Sequence, residues 1–400
     1  MAKCGEETQI EGHLIHLPFK QKKSRTKALL VEEQYNARVL TLNKPRGLNC
    51  IDLSMMLGLE NLLEEWEKDD NVDFCILKAH GEAFSAGGDL RALYTHHNPP
   101  RLGKEACYRM YWIDYHVATY KKPIIVLWSG LVMGLGVGLS VACMFRVATE
   151  KAVFAMPEAA LGFHTDASGS YFLPRLPGYL GEYLALTGAR LNGIELKACG
   201  LATHFVPSKN LWKLEALLLA LDNGRPDLIQ STLDNLSVIV KPHENSILNR
   251  MDVINKCFSK RSLEEIIAAV VAEKDKAGSQ WLEHVYTSLI KSSPTGLKQT
   301  LRSIRDGRSK TLLECTKQEF RISWHAVEST ISTDFLEGIR AIVIDKDKAP
   351  KWKPASLAEV TEDKIDLVFQ PIGIEELQLP QEGIFPRWAG QYQPPIYHRL

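Results

Sequence analysis

The sequence predicts an α/β fold followed by a mostly helical region, and three observations lead to this class. Short apolar runs typical of buried strands alternate with helical patterns up to about residue 208. Small-residue turns follow two of these runs, at residues 80–89 and 130–138. From Leu211 onward the chain is more polar and carries helical patterns. The first part is therefore expected to form strand, strand and helix units with short crossovers.

Local patterns predict the first elements. Residues 28–32 and 37–43 are β-type runs around a polar segment and indicate a hairpin. Asp52 can cap the N-terminus of a helix, whose apolar side chains then fall on one face: Leu59, Leu62, Leu63 and Trp66. Three further elements are predicted before residue 124: a buried strand at Phe74–Ala79, a helix from Leu90 and a helix over residues 105–120.

The most apolar part of the chain is an uncharged run of 22 residues, 124–145. Its length would suit a membrane-spanning helix. However, Pro123 precedes it and four glycines lie inside it, and each glycine disfavours a helix by about 1 kcal/mol. We therefore predict a buried strand over residues 124–127, a glycine turn and a buried helix from about Gly136, with no membrane partner. Strands over residues 145–149 and 153–156 follow.

Four regions are predicted along the chain. Residues 1–26 form a polar N-terminal extension, residues 27–208 the α/β core, and residues 209–346 the helical region. Residues 347–400 contain several prolines and tryptophans and are expected to be extended chain with little regular structure. The helices predicted in the third region cover residues 211–221, 263–273, 281–290, 295–304 and 312–323.

Composition limits the partners and the cellular location. Lys and Arg number 48, as do Asp and Glu, and this balance argues against nucleic acid as a partner. The eight cysteines form no CxxC pair, so no metal site and a reducing compartment are expected. The glycine spacing lacks the dinucleotide-binding pattern, and no cofactor is predicted. The acidic N-terminus does not resemble a signal or transit peptide, and the C-terminal His-Arg-Leu faintly resembles a peroxisomal address. The expected location is cytoplasmic or peroxisomal, with mitochondria less favoured.

Two glycine turns and two acidic residues are the candidates for chemistry. The turns at Gly87-Gly88 and Gly134-Leu135-Gly136 could each direct a backbone N–H outward, as in an oxyanion hole. By local pattern alone, tight turns in a packed core are the simpler interpretation. Glu158 follows Pro157 among apolar neighbours, and burial there would raise its pKa and suit it to acid–base work. The alternative is a surface glutamate at a helix start.

Asp166, His164 and Ser85 allow further interpretations. Asp166 is a second acid in a turn-forming segment, where an Asx-type structural role is the alternative. His164 alone is more often structural than catalytic. Ser85 lies in Ala83-Phe-Ser-Ala-Gly87, which approximates the Gly-x-Ser-x-Gly nucleophile elbow, so a serine hydrolase is an alternative function.

Several segments carry a family resemblance. Those from Ala83 to Leu90, from Met133 to Ser140 and from Phe154 to Glu158 resemble the crotonase (enoyl-CoA hydratase/isomerase) superfamily. Further segments are similar to 3-hydroxyisobutyryl-CoA hydrolases, especially those of plants: Tyr171-Phe-Leu-Pro-Arg175, Leu186-Thr-Gly-Ala-Arg190, Gly200-Leu-Ala-Thr-His-Phe-Val206 and Ser293-Pro-Thr-Gly-Leu-Lys298. The resemblance runs from about residue 28 to about residue 355.

The resemblance implies a ββα spiral core, a helical C-terminal part and an acyl-CoA substrate. It implies hydrolysis of the 3-hydroxyisobutyryl-CoA thioester, a step of valine degradation, and raises the expectation of a homo-oligomer. Gly88 and Leu135 would supply the oxyanion N–H groups, Glu158 would be the catalytic carboxylate, and Asp166 would be a second acid that orients the substrate. The second catalytic glutamate of the hydratases would fall at Gly138. The absence of a carboxylate there fits hydrolysis rather than hydration of a double bond.

The chain departs from the hydrolase pattern at three places. Leu135 replaces a glycine, and the substrate-contacting glutamate of the hydrolases falls at Met110. Asp114 lies one helical turn further and could partly replace that glutamate. The segment Phe163-His-Thr-Asp-Ala-Ser168 also differs from its hydrolase counterpart. A non-catalytic acyl-CoA-binding protein is therefore the remaining alternative.

Overall fold

The computed structural model describes Lys20–Gln21 and residues 27–98, 100–277 and 280–379. Within these residues the strands, in chain order, are β1 Lys20–Gln21, β2 Leu29–Gln34, β3 Ala37–Leu42, β4 Phe74–Ala79, β5 Ala83–Ser85, β6 Ile124–Trp128, β7 Leu131–Met133, β8 Phe145–Ala148, β9 Val153–Ala155, β10 Leu191–Asn192 and β11 His204–Phe205. They form two sheets. The larger has the order β1-β2-β3-β4-β6-β8-β11, and the smaller has the order β10-β9-β7-β5.

The core repeats one unit, in which a strand of the larger sheet is followed by a short strand of the smaller sheet. β4 leads into β5, β6 into β7, and β8 into β9. Pairing within the larger sheet is parallel from β3 to β11, while β1, β2 and β3 are antiparallel. In the smaller sheet β5, β7 and β9 are parallel neighbours. The predicted hairpin at residues 28–43 is confirmed as β2 and β3.

Helices cover the sheets and form the C-terminal half. In chain order they are α1 Leu53–Lys68, α2 Leu90–Thr95, α3 Arg101–Ala118, α4 Leu135–Val141, α5 Gly169–Phe172, α6 Leu180–Thr187, α7 Gly193–Ala198, α8 Leu211–Leu219, α9 Pro226–Leu236, α10 Met251–Phe258, α11 Leu263–Ala277, α12 Gln280–Lys291, α13 Pro294–Gly307, α14 Leu312–Glu328, α15 Asp334–Ile339 and α16 Glu362–Phe369. Asp52 caps α1 by accepting a hydrogen bond from the Met55 N–H, as predicted.

The apolar run of residues 124–145 is interior to the protein. It forms β6, β7 and α4, whose strand β6 and helix α4 are buried throughout. The predicted buried strand and buried helix are therefore confirmed, whereas the part expected to be a glycine turn also contains the short strand β7. No helix in the described part of the chain is long and apolar enough to span a membrane.

The structure differs from the sequence prediction in the C-terminal part. Helices α9, α10 and α15 were not predicted, and α16 lies inside the range expected to be extended. Ile365, Val368 and Phe369 of α16 pack against Ile322 of α14, so burial of one apolar face stabilises this short helix. The predicted extension over residues 1–26 falls, apart from Lys20–Gln21, outside the described residues, and so does the tail from residue 380.

Candidate active site

Three parallel strands of the smaller sheet bring the candidate residues together. Because β5, β7 and β9 run in the same direction, the segments that follow them leave the sheet at one edge. Gly88 comes shortly after β5, Leu135 shortly after β7 and Glu158 shortly after β9. All three border one cavity of about 370 Å³, together with Asp166 and Met110. The structure thus gathers the five residues named from the sequence around one space.

The two glycine turns are packed against each other. Gly87 and Gly134 have positive φ angles of 105° and 48°, a conformation that favours glycine. A Cβ atom added to Gly134 would lie 3.5 Å from the Gly87 Cα. Among the described residues, neither the Gly88 N–H nor the Leu135 N–H donates a hydrogen bond to a protein acceptor. Leu135 is the first residue of α4, where N–H groups have no partner within the helix.

Glu158 presents a desolvated carboxyl group beside these turns. It begins a 3₁₀ helix, Glu158–Leu161, directly after Pro157, and its side chain is buried. Its Oε1 lies 3.5 Å from the position of an added Cβ at Gly134, and its Oε2 has no hydrogen-bond partner among the described residues. Burial raises the pKa of Glu158 well above its usual value, and the nearby Asp166 carboxylate raises it further.

Asp166 shares the buried environment of Glu158. Burial raises the pKa of Asp166 to about 7, while a hydrogen bond from the Tyr111 hydroxyl at 3.4 Å acts in the opposite direction. The next two residues, Ala167 and Ser168, both have left-handed φ angles of 56° and 66°. This conformation is uncommon for side-chain-bearing residues and is maintained only where surrounding contacts impose it.

Glu319 of α14 supplies those contacts, and sequence reasoning missed it. Its carboxylate accepts hydrogen bonds from the Ser168 N–H at 2.9 Å and from the Ser170 N–H at 2.7 Å, and it also accepts one from the Ser170 hydroxyl. Burial raises the pKa of Glu319 to about 8. No local signal in the sequence marks this glutamate, because its partners lie about 150 residues earlier in the chain.

A second buried network reaches Asp166 from α3 and α14. The Tyr111 hydroxyl is 2.6 Å from the Ser323 Oγ, which in turn lies 2.7 Å from Nε2 of His164. Burial lowers the pKa of His164 to about 3, so the ring is neutral at physiological pH. His164 therefore has a structural position beneath the site, in agreement with the simpler interpretation of the sequence. Tyr111 and Ser323 were not identified from the sequence.

Asp114 does not take the place of the glutamate that is absent at Met110. Met110 borders the cavity, whereas Asp114 is completely buried on the same helix and is not among the lining residues. Its carboxyl group lies against α4, where an added Cβ at Gly138 would be 2.4 Å from the Asp114 Oδ2. Burial raises the pKa of Asp114 well above its usual value, with further contributions from Asp166 and Glu319.

Ser85 is unsuited to nucleophilic attack. Its side chain is fully buried and does not line the cavity. The hydroxyl donates to the Asn49 carbonyl at 2.9 Å and accepts from the Gly87 N–H at 3.2 Å. These bonds stabilise the first glycine turn. In the described residues, no group of three or more His, Cys, Asp or Glu side chains could hold a metal ion.

The spiral of paired strands and the site at one edge of its smaller sheet define a crotonase-type protein. The enoyl-CoA hydratase/isomerase family matches residues 37–369, and the chain belongs to this family. It is 50% identical, over 92% of its length and 95% of the relative, to 3-hydroxyisobutyryl-CoA hydrolase-like protein 5 of Arabidopsis thaliana. It is 41% identical, over 91% of its length and 94% of the relative, to human mitochondrial 3-hydroxyisobutyryl-CoA hydrolase.

A solved structure agrees with the family. The carnitinyl-CoA dehydratase of Mycobacterium thermoresistibile has a TM-score of 0.80 and 31% identity, with 88% of this chain and 99% of the other covered. The predicted fold class, a ββα core followed by a helical C-terminal region, is confirmed. The predicted class of enzyme, a CoA-thioester hydrolase similar to 3-hydroxyisobutyryl-CoA hydrolases, is confirmed as well.

The predicted location is wrong. The sequence analysis favoured the cytoplasm or peroxisome over mitochondria, but the human relative and its rat counterpart, which is 40% identical, are both named as mitochondrial proteins. These relatives point to mitochondria. The faint resemblance of the last three residues to a peroxisomal address carried too little information to decide the location.

Proposed function

We propose that the protein hydrolyses a short-chain acyl-CoA thioester of the kind named for its relatives, with Glu158 as the catalytic carboxylate. The observation that carries this proposal is the position of Glu158. A buried carboxyl group borders the same cavity as two backbone N–H groups, and in the described part of the chain one oxygen of the carboxyl group and both N–H groups lack a protein partner. Such groups are costly to bury unless a substrate or water completes their hydrogen bonds.

The reaction follows from the arrangement. The thioester carbonyl oxygen accepts hydrogen bonds from the N–H groups of Gly88 and Leu135, which stabilise the oxyanion as it develops. Each such donor is typically worth about 3 kcal/mol. Glu158 takes a proton from water, the hydroxide adds to the carbonyl carbon, and the tetrahedral intermediate collapses as the C–S bond breaks. The CoA thiolate leaves and takes up the proton, and a carboxylic acid remains.

A direct attack by Glu158 is the second route that this geometry permits. The carboxylate would displace CoA and form an anhydride, which water then opens. The two routes differ in H₂¹⁸O. When water opens the anhydride at the Glu158 carbonyl carbon, ¹⁸O enters the Glu158 side chain, and mass spectrometry of the peptide containing Glu158 detects it. The general-base route leaves this side chain unlabelled. Asp166 orients the acyl group in both routes, and its carboxylate raises the pKa of Glu158.

The first test is Glu158→Gln, which keeps the volume of the side chain but removes its basicity. We expect release of free CoA to fall by at least about 10³-fold, in the upper range for loss of a general base. Binding of acyl-CoA, measured by calorimetry, should persist. Turnover similar to wild type in this variant would contradict the proposal. Size-exclusion chromatography of the same preparations tests the homo-oligomer that the resemblance implies.

Two alternatives give different results in the same assay. A serine hydrolase would be labelled at Ser85 by a fluorophosphonate probe, whereas the buried and bonded hydroxyl should stay unlabelled. A non-catalytic acyl-CoA-binding protein would bind the thioester but release no thiol from any member of a panel of acyl-CoAs.

A further inference from the structure

Tyr111 of α3 contacts Asp166 from outside the cavity. The tyrosine is fully buried and is not among the residues that border the cavity, so it does not reach the substrate. Its hydroxyl lies 3.4 Å from Oδ2 of Asp166, whose carboxyl group does border the cavity. Any effect of this hydroxyl on the reaction therefore passes through Asp166.

Asp166 has acidic groups around it and no cation. Its carboxylate raises the pKa of five neighbouring groups: Cys107, Tyr111 and Asp114 of α3, Glu158 of the 3₁₀ helix and Glu319 of α14. No Lys or Arg forms an ion pair with Asp166 in the described part of the chain, and the hydrogen bond from Tyr111 is the one side-chain contact there that lowers its pKa. A buried carboxylate without a cation depends on such donors to remain ionised.

Tyr111 is itself held by a chain of hydrogen bonds. Its hydroxyl is 2.6 Å from Ser323 Oγ, which lies 2.7 Å from Nε2 of His164. An ionised carboxylate only accepts hydrogen bonds, so the Tyr111 proton is directed to Asp166 and the Tyr111 oxygen accepts from Ser323. Ser323 then accepts from the His164 ring, which requires the proton of this neutral ring on Nε2. Successive bonds of this kind polarise and strengthen one another.

The ring of Tyr111 is fixed by packing as well. It lies edge-on against Phe320 of α14, with the ring centroids 6.0 Å apart and an interplanar angle of 83°. Both residues belong to one buried cluster that also contains Trp324. The hydroxyl is thus held next to Asp166 before a substrate arrives, as expected for a group that supports a reacting residue.

From these contacts we propose that Tyr111 is a positioning residue, which holds Oδ2 of Asp166 and leaves the other carboxylate oxygen to accept the hydroxyl group of a 3-hydroxyacyl thioester. The inference rests on the proposed function and adds the residue that orients its second acid. A substrate hydroxyl is a hydrogen-bond donor, and an ionised carboxylate is the acceptor that suits it. Without Tyr111 the carboxyl group of Asp166 could rotate about χ2 and would keep its proton to a higher pH.

Tyr111→Phe keeps the ring and removes the donor. Its test uses two thioesters that differ by one hydroxyl group, 3-hydroxyisobutyryl-CoA and isobutyryl-CoA. We expect kcat/KM for the hydroxylated thioester to fall by about tenfold or more, and that for isobutyryl-CoA by about threefold or less, because only the former donates to Asp166. The pH at which kcat/KM for the hydroxylated thioester is half-maximal should also rise, since the lost hydrogen bond no longer lowers the pKa of Asp166.

Tyr108→Phe is the matched control. Tyr108 lies on the same helix and also packs edge-on against Phe320, but its hydroxyl donates to the Gln378 carbonyl and the residue does not border the cavity. This variant should keep both kcat/KM values. Ser323→Ala removes the partner of the Tyr111 hydroxyl, and we expect a smaller loss that again affects the hydroxylated thioester more.

Equal losses for the two thioesters in Tyr111→Phe would indicate a purely structural role and overturn the inference, as would kinetics identical to wild type. Either result would leave thioester hydrolysis by the wild-type protein intact. Failure of the wild-type protein to release CoA from both thioesters would instead contradict the proposed function, so the two failures are distinguishable.

Discussion

Four carboxyl side chains lie buried in one part of the molecule: Asp114, Glu158, Asp166 and Glu319. Burial raises the pKa of each above its usual range, and Asp166 also raises the pKa of the other three. Because carboxylates that are close together disfavour simultaneous ionisation, each of these groups makes it harder for the others to lose a proton. Only Glu158 and Asp166 of these four border the cavity.

Asp114 permits a test of this electrostatic arrangement through stability. Its folded pKa is raised, so the folded protein holds a proton that the unfolded chain releases above its pKa of about 3.9. Wild-type stability therefore falls as pH rises through that value toward the folded pKa. Asp114→Asn removes this loss. We expect the variant to unfold at higher urea concentration than wild type at pH 8, with the difference largely gone near pH 4.

A matched control is Asp227→Asn. Asp227 is an exposed aspartate whose pKa is lowered, mainly by its hydrogen bonds from Arg225. Asp227→Asn should slightly lower the stability toward urea at pH 8, because the exposed ion pair stabilises only the ionised form of Asp227. If Asp114→Asn changed stability equally at both pH values, the buried carboxyl group of Asp114 would not be the cause.

At the level of single residues, the sequence indicated the proposed reacting groups but not the groups that contact them. Glu158 was identified because Pro157 and apolar neighbours surround it, which is information available locally. The resemblance then assigned Gly88, Leu135, Asp166 and Met110. Tyr111 and Glu319 had no comparable signal, since each acts through residues far away in the chain.

Among the elements, the two glycine turns after β5 and β7 carry the N–H groups that we propose as oxyanion donors. Gly134 has a φ of 48° and ψ of −127°, so Gly134→Ala would strain the turn and place a methyl group near Gly87 and Glu158. We expect kcat to fall by about 10²-fold, comparable with loss of one oxyanion donor. KM for the acyl-CoA thioester should change less.

Gly373→Ala is the control for Gly134→Ala. Gly373 also has a positive φ, of 70°, but an added Cβ would meet no atom within 4 Å. It lies outside the residues that border the cavity. This variant should lose a little stability and keep the wild-type kcat. Equal loss of activity in both variants would attribute the effect to general backbone strain rather than to the oxyanion hole.

Elements with strong local patterns were predictable, and those stabilised by tertiary contacts were not. β4 and the helix capped by Asp52 agree with the sequence prediction, because apolar runs and capping residues act locally. Helix α16 was missed because it spans only Glu362–Phe369 and lies between proline-containing segments. Its stability comes from contact with Ile322, which no local pattern reveals.

At the scale of the whole molecule, the C-terminal helices complete the site of the N-terminal core. α14 contributes Glu319, Ser323 and Val327, and α15 contributes Phe335. Sequence patterns predicted a helical half but could not assign it a role in the site, because the contacts join residues about 150 positions apart. The resemblance implied a core followed by helices, and the structure shows that residues of both regions border the same cavity.

Glu319 links these two halves, and its substitution measures how much the link matters. Glu319→Ala leaves the N–H groups of Ser168 and Ser170 unpaired and releases the left-handed segment that follows Asp166. We expect kcat to fall by about 10²-fold as Asp166 moves, together with a lower Tm. Glu319→Gln keeps one oxygen acceptor and should give an intermediate loss.

Glu328→Ala on the same helix serves as the control for Glu319. Glu328 pairs with Lys104 near the surface and does not border the cavity. Its loss should leave kcat unchanged, since exposed ion pairs contribute little. Wild-type activity in Glu319→Ala would show that the segment after Asp166 maintains its conformation without help from α14.

The contact between Gly138 and Asp114 restricts how this chain could evolve. Gly138 occupies the position that the resemblance assigns to the second glutamate of hydratases, but the Asp114 carboxyl group fills the space that such a side chain would enter. A lone Gly138→Glu exchange would crowd a close-packed interior, which typically costs about 1–3 kcal/mol or more. Asp114 would have to be replaced by a smaller residue first. The order of mutations is therefore constrained, and a descendant that adds water to double bonds is at least two steps away.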